Sequence, residues 1–405
     1  MNLKEPLLKT RSFAKIVLAI VLLCLQTTVV QQNALAEDQN YELEILSVLE
    51  LLRSGELQLA LEQTQQHLVE FPNSRIAHLI RADIYVAMSS GLNGFGQGVT
   101  QHANSLKELQ DQIRNRWQQF EINKHNENDL IPSSLIDIGH HKYVIVADLE
   151  AGRLYLYQNV NGKPVLVKDY YLTVGSEGYG KAIEGDNKTP VGVYAINQHI
   201  PAEELPDLYG DGAYPVNYPN GYDRSQNRTG SGIWLHGTPS YTYARSPWAS
   251  KGCFVLSNDD LQHIQKFISV KNQTPVVLSD GIKWLNVSQR AKTRNYYLGI
   301  IQKWQHDWES LNTELYLSHY SQENFDFGNS SFKTWANRKR AVNKAKAFIK
   351  VDLDIESVFV YPGEKETFVV QFKQDYKSSN YSSETQKQQY WQRDSKGRWK
   401  IIYEG

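Results

Sequence analysis

The sequence predicts a multidomain protein in which an N-terminal helical region, a central mostly-β domain and a C-terminal α+β domain follow one another. Three observations support this fold class. Apolar residues recur at helical spacing over residues 41–120 and alternate along strands over residues 142–280, and residues 290–405 show first the helical and then the alternating pattern. A chain of 405 residues also has room for two or three domains of roughly 150 residues each.

Residues 1–36 are predicted to be a signal peptide. Basic residues precede the apolar run IVLAIVLLCL, and the small residues ALA at positions 34–36 offer a cleavage site. The alternative is an uncleaved membrane anchor, because residues 13–30 reach about the minimum length of a membrane span. The protein is exported in either case, and we expect it in the periplasm.

Residues 37–125 are predicted to form a helical region, with Gly55 and Pro72 at helix ends in the segments LEILSVLELL and LALEQTQQHLVEFP. Residues 51–87 resemble one tetratricopeptide-like helix pair, and a single pair cannot bury its own apolar face. We therefore expect this region to pack on the next domain or on a second copy of the chain, which would make a homodimer.

Residues 140–281 are predicted to form a sheet-rich domain. Gly152 and the pair Asn161-Gly162 are typical of hairpin turns, and further strands are expected in KTPVGVYAI, GIWLHG, GCFVLS and TPVVLSD. One helix is expected in NDDLQHIQKFIS, with Asn258 as its N-cap.

Residues 290–405 are predicted to form an accessory domain. Two helical stretches, YYLGIIQKWQHDWESL and WANRKRAVNKA, precede four alternating segments, and Lys396-Gly397 marks the last hairpin. This order resembles the cone-shaped nuclear-transport-factor-two-like (NTF2-like) fold. The resemblance implies a fold and no activity.

Charge and cysteine count narrow the classes of function. The formal net charge of −1 at pH 7 gives no reason to expect nucleic acid or an anionic membrane surface as a partner. Of the two cysteines, Cys24 lies in the signal segment, so the mature chain keeps only Cys253 and forms no internal disulfide. A lone thiol in an oxidising compartment is either buried and inert or kept for its reactivity.

The candidate site lies in the stretch SGIWLHGTPSYTYARSPWASKGCFVLSND. His236 ends one predicted strand and Cys253 begins another, and adjacent strand ends can bring two side chains within about 3 to 3.5 Å. A thiol attacks only as thiolate, so it needs a base nearby. Gly252 permits close approach of a carbonyl, and N–H groups near Gly252 and Cys253 are candidate oxyanion donors. This chemistry requires no metal or other cofactor; the alternative is that both residues are ordinary core.

Four motifs together, KTPVGVY, YPVNYPNGYDR, HGTP and SKGCFVLSN, resemble the catalytic domain of the L,D-transpeptidases, the YkuD fold, across residues 140–281. The resemblance implies that Cys253 attacks the carbonyl between the diamino acid and D-alanine of a peptidoglycan stem peptide. It makes His236 the base and the carbonyl of Gly237 the group that orients the imidazole. Ser250 matches the family pattern, whereas Lys251 replaces a histidine and either lowers the thiol pKa or points to solvent.

Other residues are candidates for substrate contacts. The rings of Tyr214, Tyr218 and Trp234 either line the cleft or belong to the core. Arginine side chains bind carboxylates in a bidentate manner, and the candidates for this role are Arg224, Arg228 and Arg245. The pair His140-His141 lacks metal-ligand spacing and is expected to be solvated.

The resemblance leaves the fate of the thioester open. An amine from a second stem peptide gives a cross-link, which is the transpeptidase reaction we favour, whereas water gives L,D-carboxypeptidase activity. The order of the domains also resembles a three-domain L,D-carboxypeptidase that influences cell shape, and the NYPN motif resembles a hydrolase group that releases wall-linked lipoprotein. The non-enzymatic alternative is a wall-binding scaffold.

Overall fold

The computed structural model describes residues 40–97, 99, 102–125, 130–325, 327 and 330–405. The predicted signal peptide lies outside these residues. The chain divides between residues 100 and 101 into two compact units. Among the helices that the structure describes, none has both the length and the apolar character needed to cross a membrane.

The first unit consists of three helices, α1 (Asn40–Ser54), α2 (Leu57–Glu70) and α3 (Arg75–Ser90). Gly55 takes a left-handed φ of +82° where the chain turns between α1 and α2. The side chain of Ser74 caps α3 by accepting a hydrogen bond from the N–H of Ala77. Buried aliphatic side chains from the three helices form the core of this unit.

The second unit begins with α4 (Ala103–His125), which packs on the sheet-rich domain. Asn115 donates a 2.6 Å hydrogen bond to the carbonyl of Ala151, and the guanidinium of Arg116 lies 4.0 Å above the ring of Tyr171. The last helix of the predicted helical region 37–125 therefore lies in the second unit, with the sheet-rich domain.

The central domain is built on a five-stranded mixed sheet. Its strands, in spatial order, are β5 (Lys163–Tyr171), β4 (Arg153–Val160), β3 (Tyr143–Asp148), β12 (Pro275–Ser279) and β7 (Gly192–Ala195). Alternate residues of β3 enter two different cores, because successive side chains point to opposite faces. Ile145 belongs to the core of the central domain, whereas Val144 and Val146 join a core shared with Phe359 and Tyr390 of the C-terminal domain.

Two small sheets and several short helices form the rest of this domain, and 3₁₀ turns at Ala202–Glu204 and Gln265–Phe267 are among them. The three-stranded sheet has the order β11 (Phe254–Val255), β9 (Trp234–His236) and β8 (Ala213–Pro215), and the two-stranded sheet pairs β10 (Trp248–Ser250) with β6 (Val174–Gly175). The other short helices are a 3₁₀ turn at Asp207–Tyr209, α5 (Gly221–Ser225) and α6 (Asn258–Ile264). A further pair joins β1 (Ile131–Pro132) to β13 (Trp284–Leu285), so the start of the domain meets its end.

The C-terminal domain contains three helices and a long antiparallel sheet. The helices are α7 (Val287–Glu309), α8 (Thr313–Leu317) and α9 (Phe332–Lys344), and the strands are β14 (Ile349–Val360), β15 (Thr367–Ser378), β16 (Tyr381–Arg393) and β17 (Trp399–Glu404). This is the predicted order of helices followed by a meander. The sheet has one further strand that the sequence did not suggest, since β2 (Leu135–Asp137) pairs with the edge of β14.

Candidate active site

His236 and Cys253 lie at two adjacent parallel strands. β9 ends at His236, and β11 begins directly after Cys253. Val255 is the ladder partner of His236, so Cys253 lies two positions before that partner. Side chains two positions apart along a strand point to the same face. The register therefore places the side chains of the two residues that the sequence analysis selected on one face of the small sheet.

The imidazole of His236 is buried and held in one orientation. Its Nδ1 lies 2.7 Å from the carbonyl oxygen of Gly237, and because a carbonyl oxygen only accepts hydrogen bonds, Nδ1 carries the proton. Nε2 is then the unprotonated nitrogen, as a general base requires. The ring of Tyr209 packs edge-on at 5.0 Å between centroids. Burial lowers the pKa of His236 to about 4, although the bond to Gly237 acts in the opposite direction.

Asn258 fixes the turn that follows His236. Its Oδ1 accepts hydrogen bonds from the N–H groups of Asp211 (3.2 Å) and Thr238 (3.0 Å), and its Nδ2 donates to the carbonyl of Thr238 (2.9 Å). A Cβ at Gly237 would overlap this Oδ1. Only glycine at position 237 therefore allows Asn258 to hold the turn.

The predicted N-cap of α6 is wrong by one residue. Ser257 caps the helix by accepting a 3.2 Å hydrogen bond from the N–H of Asp260. Asn258 is the first helical residue, which frees its side chain for the turn beside the histidine. Both residues are good caps, and the sequence alone does not decide between them.

The thiol of Cys253 donates a hydrogen bond to the carbonyl oxygen of Gly232, with 3.3 Å between sulfur and oxygen. Within the described chain, no hydrogen bond joins this thiol to the imidazole. Burial raises the pKa of the thiol to about 11, while the backbone N–H of Trp234 and the charges of Arg245 and Lys181 act in the opposite direction. The resting site thus holds a neutral thiol beside a neutral imidazole at pH 7.

A tight turn over residues 250–253 presents the cysteine. The hydroxyl of Ser250 donates to the carbonyl of Cys253 (2.6 Å) and accepts from the N–H of Gly252 (3.1 Å). The N–H of Gly252 is thus already used, which corrects its prediction as an oxyanion donor. Ser250 is buried and shapes this turn instead of facing a substrate. None of the described residues accepts a hydrogen bond from the N–H of Cys253, so this group is available for an oxyanion.

The space around this turn is too small for any side chain at position 252, so a glycine is required there. Its φ is +116°, and a Cβ at this position would lie 2.7 Å from the carbonyl oxygen of Lys188. The backbone of the loop around Lys188 therefore packs directly behind the residue that precedes the thiol.

The sequence analysis selected Lys251 as the cation beside the thiol, but the cations whose charges act on Cys253 are Arg245 and Lys181. Lys251 is exposed. The buried cation is Lys181, whose Nζ donates to Asp186 (2.7 Å) and to the carbonyl of Ile183 (3.1 Å). Burial acts to raise the pKa of Asp186, but the bond from Lys181 and three backbone N–H groups lower it to about 2. Nothing in the motif GYGKAIEGDNKTP indicated that Lys181 lies near the cysteine, because the loop has no strand or helix period.

Two of the three predicted cleft aromatics belong to the core. Tyr214 and Tyr218 are 5% and 6% exposed and pack in the central core. Their hydroxyls donate to Gln265 and to the carbonyl of Thr229. Trp234 is half-buried and lies against Tyr209, 5.0 Å between ring centroids, so it is the aromatic residue best placed to contact a substrate.

The structure separates the three candidate arginines. Arg228 is paired with Asp223 (3.0 Å) and Glu364 (2.5 Å), so its guanidinium is already occupied. Arg224 donates to the carbonyl of Pro219 (2.6 Å) on the protein surface. Arg245 is half-buried, and its charge acts on both the thiol and the imidazole.

The two neighbouring histidines differ in environment. His140 is exposed and lies 3.0 Å from Asp354. His141 is half-buried, and burial lowers its pKa to about 4, so the expectation that it is solvated is wrong. Among the residues that the structure describes, no cluster of His, Cys, Asp or Glu side chains is arranged to hold a metal ion.

Two family models match the chain. Residues 142–278 match the L,D-transpeptidase catalytic domain (YkuD), and residues 297–405 match the Cds6 C-terminal NTF2-like domain. No curated protein sequence matches the chain significantly.

Solved structures of two bacterial proteins are similar over about two thirds of the chain. Bd1075 from Bdellovibrio bacteriovorus is 27% identical, with a TM-score of 0.60, over 68% of this chain and 98% of that chain. The helical cell shape determining protein Pgp2 from Campylobacter jejuni is 26% identical, with a TM-score of 0.58, over 71% of this chain and 98% of that chain. A point mutant of Pgp2 gives 25% identity and a TM-score of 0.57, over 73% and 99%.

The central domain is therefore a catalytic domain of the L,D-transpeptidase family, and an NTF2-like domain follows it. This confirms the predicted fold class and both resemblances. The multidomain architecture, with helices before these two domains, is similar to that of Pgp2.

Proposed function

We propose that this protein is a cysteine-dependent enzyme that acts on the bond between the diamino acid and D-alanine in peptidoglycan stem tetrapeptides. The observation that carries the proposal is the pair of Cys253 and His236 on one face of the small sheet. The bond from Nδ1 to Gly237 leaves Nε2 unprotonated, which is the form that accepts the thiol proton. L,D-transpeptidase membership supports the substrate class.

The first half of the reaction forms a thioester. As the sulfur of Cys253 attacks the carbonyl carbon, Nε2 of His236 takes the thiol proton and the C–S bond forms. The N–H of Cys253 stabilises the oxygen that gains negative charge. The imidazolium then gives its proton to the amine of the leaving D-alanine as the C–N bond breaks. The dyad begins neutral, so one proton moves out to the imidazole and back to the product.

The second half decides the type of enzyme. Attack on the thioester by the side-chain amine of a second stem gives a cross-link, and we propose this transpeptidation as the reaction. Attack by water gives L,D-carboxypeptidase activity, which is the second candidate. The observation that favours it is the similarity of the architecture to Pgp2, a helical cell shape determining protein. Both reactions share Cys253 as the nucleophile.

Arg245 is proposed to bind the carboxylate of the terminal D-alanine. Its guanidinium donates to the carbonyl of Ala249, and no carboxylate in the described chain lies within ion-pair distance of it. Its charge interacts with Cys253. A half-buried guanidinium with free donors pairs well with a planar carboxylate.

An L,D-transpeptidase domain indicates a cell-envelope location, and we propose that residues 1–36 direct export. The partner we propose is the peptidoglycan stem peptide. A homodimer through the N-terminal helical region, residues 37–125, stays a prediction. Light scattering is expected to give the mass of a dimer for the mature chain and of a monomer once residues 37–125 are removed.

The experiment is incubation of the mature protein with tetrapeptide muropeptides, followed by mass analysis of the products. Cross-linked dimers support transpeptidation, and loss of D-alanine without dimers supports hydrolysis. Cys253→Ala is expected to abolish both products, since no other group described near the site is a comparable nucleophile. If the wild-type protein gives neither product between about pH 6 and 8, the scaffold alternative replaces the enzyme.

A further inference from the structure

The carbonyl of Gly232, which accepts the hydrogen bond from the thiol of Cys253, lies at the end of residues 228–232, which we term the acceptor segment. This segment has no helix or strand. Gly230 and Gly232 have φ angles of +97° and +72°, and the space around Gly232 is open. Gly232 has no side chain to pack. On one side of it Ile233 is buried in the central core, and its carbonyl accepts a 3.1 Å hydrogen bond from the N–H of Val216. On the other side the position of Gly232 depends on how residues 228 and 229 are anchored.

The first anchor is within the central domain. The N–H of Thr229 donates to the carbonyl of Ala182 (3.0 Å), its hydroxyl accepts from the N–H of Glu184 (3.1 Å), and its carbonyl accepts from the hydroxyl of Tyr218 (3.0 Å). The segment is thereby tied to the loop that contains Lys181.

The second anchor is Arg228, and it reaches into the NTF2-like domain. The guanidinium donates to Asp223 at 3.0 Å within the central domain. It also donates to Glu364 at 2.5 Å and lies 3.4 Å from the hydroxyl of Tyr361. Glu364 lies in the connection between β14 and β15. Three residues thus hold one guanidinium, and two of them come from the C-terminal domain.

Glu364 is the member of this group that can be removed with least effect on folding. Asp223 is fully buried, so it depends on Arg228 for its charge partner. Glu364 keeps 23% of its side chain exposed. Without it, Asp223 and Arg228 still neutralise each other, but the acceptor segment loses its charged link to the C-terminal domain and keeps only the 3.4 Å contact of Arg228 with the hydroxyl of Tyr361.

We propose that the NTF2-like domain positions the acceptor of the thiol hydrogen through Glu364, which acts through Arg228 on Gly232. Glu364 is thus a positioning residue for Cys253. The inference rests on the proposed function only in taking Cys253 as the nucleophile. It gives the C-terminal domain a role in setting the reactivity of the active site.

The test is alkylation of Cys253 by iodoacetamide, measured against pH in the full chain, together with turnover of tetrapeptide muropeptides. A hydrogen bond to the carbonyl stabilises the protonated thiol, so its loss lowers the thiol pKa. Glu364→Ala is expected to move the alkylation midpoint down by about half a pH unit. Turnover is expected to fall about threefold to tenfold, because the sulfur is less well placed for attack.

The matched control is Glu366→Ala. Glu366 comes from the same connection and pairs with Arg393 at 2.8 Å, but it does not contact the acceptor segment. This variant is expected to keep the wild-type alkylation profile and turnover. Glu364→Gln, which retains an oxygen acceptor, is expected to shift the profile in the same direction by less than Glu364→Ala, and it serves as the test if the alanine variant unfolds.

A combined substitution shows whether Glu364 acts through the arginine. In an Asp223→Asn/Arg228→Met background, which leaves no buried carboxylate without its charge partner, adding Glu364→Ala is expected to cause no further shift. The inference is overturned if Glu364→Ala behaves like Glu366→Ala, or if its full effect persists without Arg228. Turnover retained by Cys253→Ala would instead overturn the proposed function, so the two failures are distinct.

Discussion

The two members of the proposed dyad, His236 and Cys253, are held in different ways. His236 is fixed by nearby groups of the central domain, which are the carbonyl of Gly237, the ring of Tyr209 and the turn held by Asn258. Cys253 projects from a glycine turn, and its thiol donates to Gly232, in a segment anchored from two domains. The orientation of the proposed base is therefore set by local structure, whereas the environment of the proposed nucleophile is assembled from distant parts of the chain.

Among variants that keep the thiol, the largest expected effect comes from removing the proposed base. His236→Ala is expected to lower turnover on the order of a hundredfold or more at neutral pH. The wild-type rate should be nearly flat from about pH 5 to 10, because the competent form has neutral His236 (pKa about 4) and protonated Cys253 (pKa about 11). The rate of the variant should rise about tenfold per pH unit, because it depends on the thiolate fraction.

The measurement is a pH profile of kcat/KM for both proteins on one tetrapeptide muropeptide. A wild-type rate that climbs with pH in parallel with the variant would mean that His236 is not the base.

Gly252→Ala tests whether the turn over residues 250–253 positions the sulfur of Cys253. A Cβ would lie 2.7 Å from the carbonyl of Lys188, and the φ of +116° is strained for alanine. The turn must shift and carry the sulfur with it, so we expect turnover to fall about thirtyfold or more while substrate binding changes little. Gly397→Ala is the control, because Gly397 also has a positive φ but lies in the last hairpin with nothing within 4 Å. Equal turnover in wild type and Gly252→Ala would contradict this account of the turn.

Arg245→Gln tests whether Arg245 binds the terminal carboxylate of the substrate. We expect KM to rise about tenfold for a tetrapeptide with a free terminal carboxylate, with a smaller change in kcat. The check is the same kinetics on a stem peptide whose terminal carboxylate is amidated, which should no longer distinguish the variant from wild type. An equal loss on both substrates would assign Arg245 a role other than carboxylate binding.

The smallest effect is expected at Lys251. Its side chain is exposed, so solvent screens its charge from the thiol. Lys251→Gln should change kcat/KM by less than about twofold. A loss comparable to that of Arg245→Gln would show that this cation contributes to the site after all.

The positions of His236 and Cys253 at strand ends made their proximity feasible, and the resemblance to the L,D-transpeptidases selected them as base and nucleophile. It predicted the orienting carbonyl of Gly237 from the resemblance to a known family. The order of helices and strands followed from the spacing of apolar residues, because that spacing shows which residues of a single helix or strand are buried.

The sequence could not predict contacts that depend on how distant loops meet. Lys181 lies in a loop without a hydrophobic period, and the short strand β2 joins the sheet of a domain that begins far beyond it in the chain. Tyr214 and Tyr218 illustrate a second limit. A buried aromatic residue in the core and one that lines a cleft have the same sequence pattern, and only the packing distinguishes them.

The central claim is that the sulfur of Cys253 carries the stem peptide during the reaction. The most direct measurement is intact-protein mass after mixing with tetrapeptide substrate and quenching in acid, with peptide mapping of the adduct. We expect a mass increase equal to the tripeptide acyl group, located on the peptide that contains Cys253 and accumulating more slowly in His236→Ala. Product formation without any adduct, or an adduct on a different residue, would contradict the account.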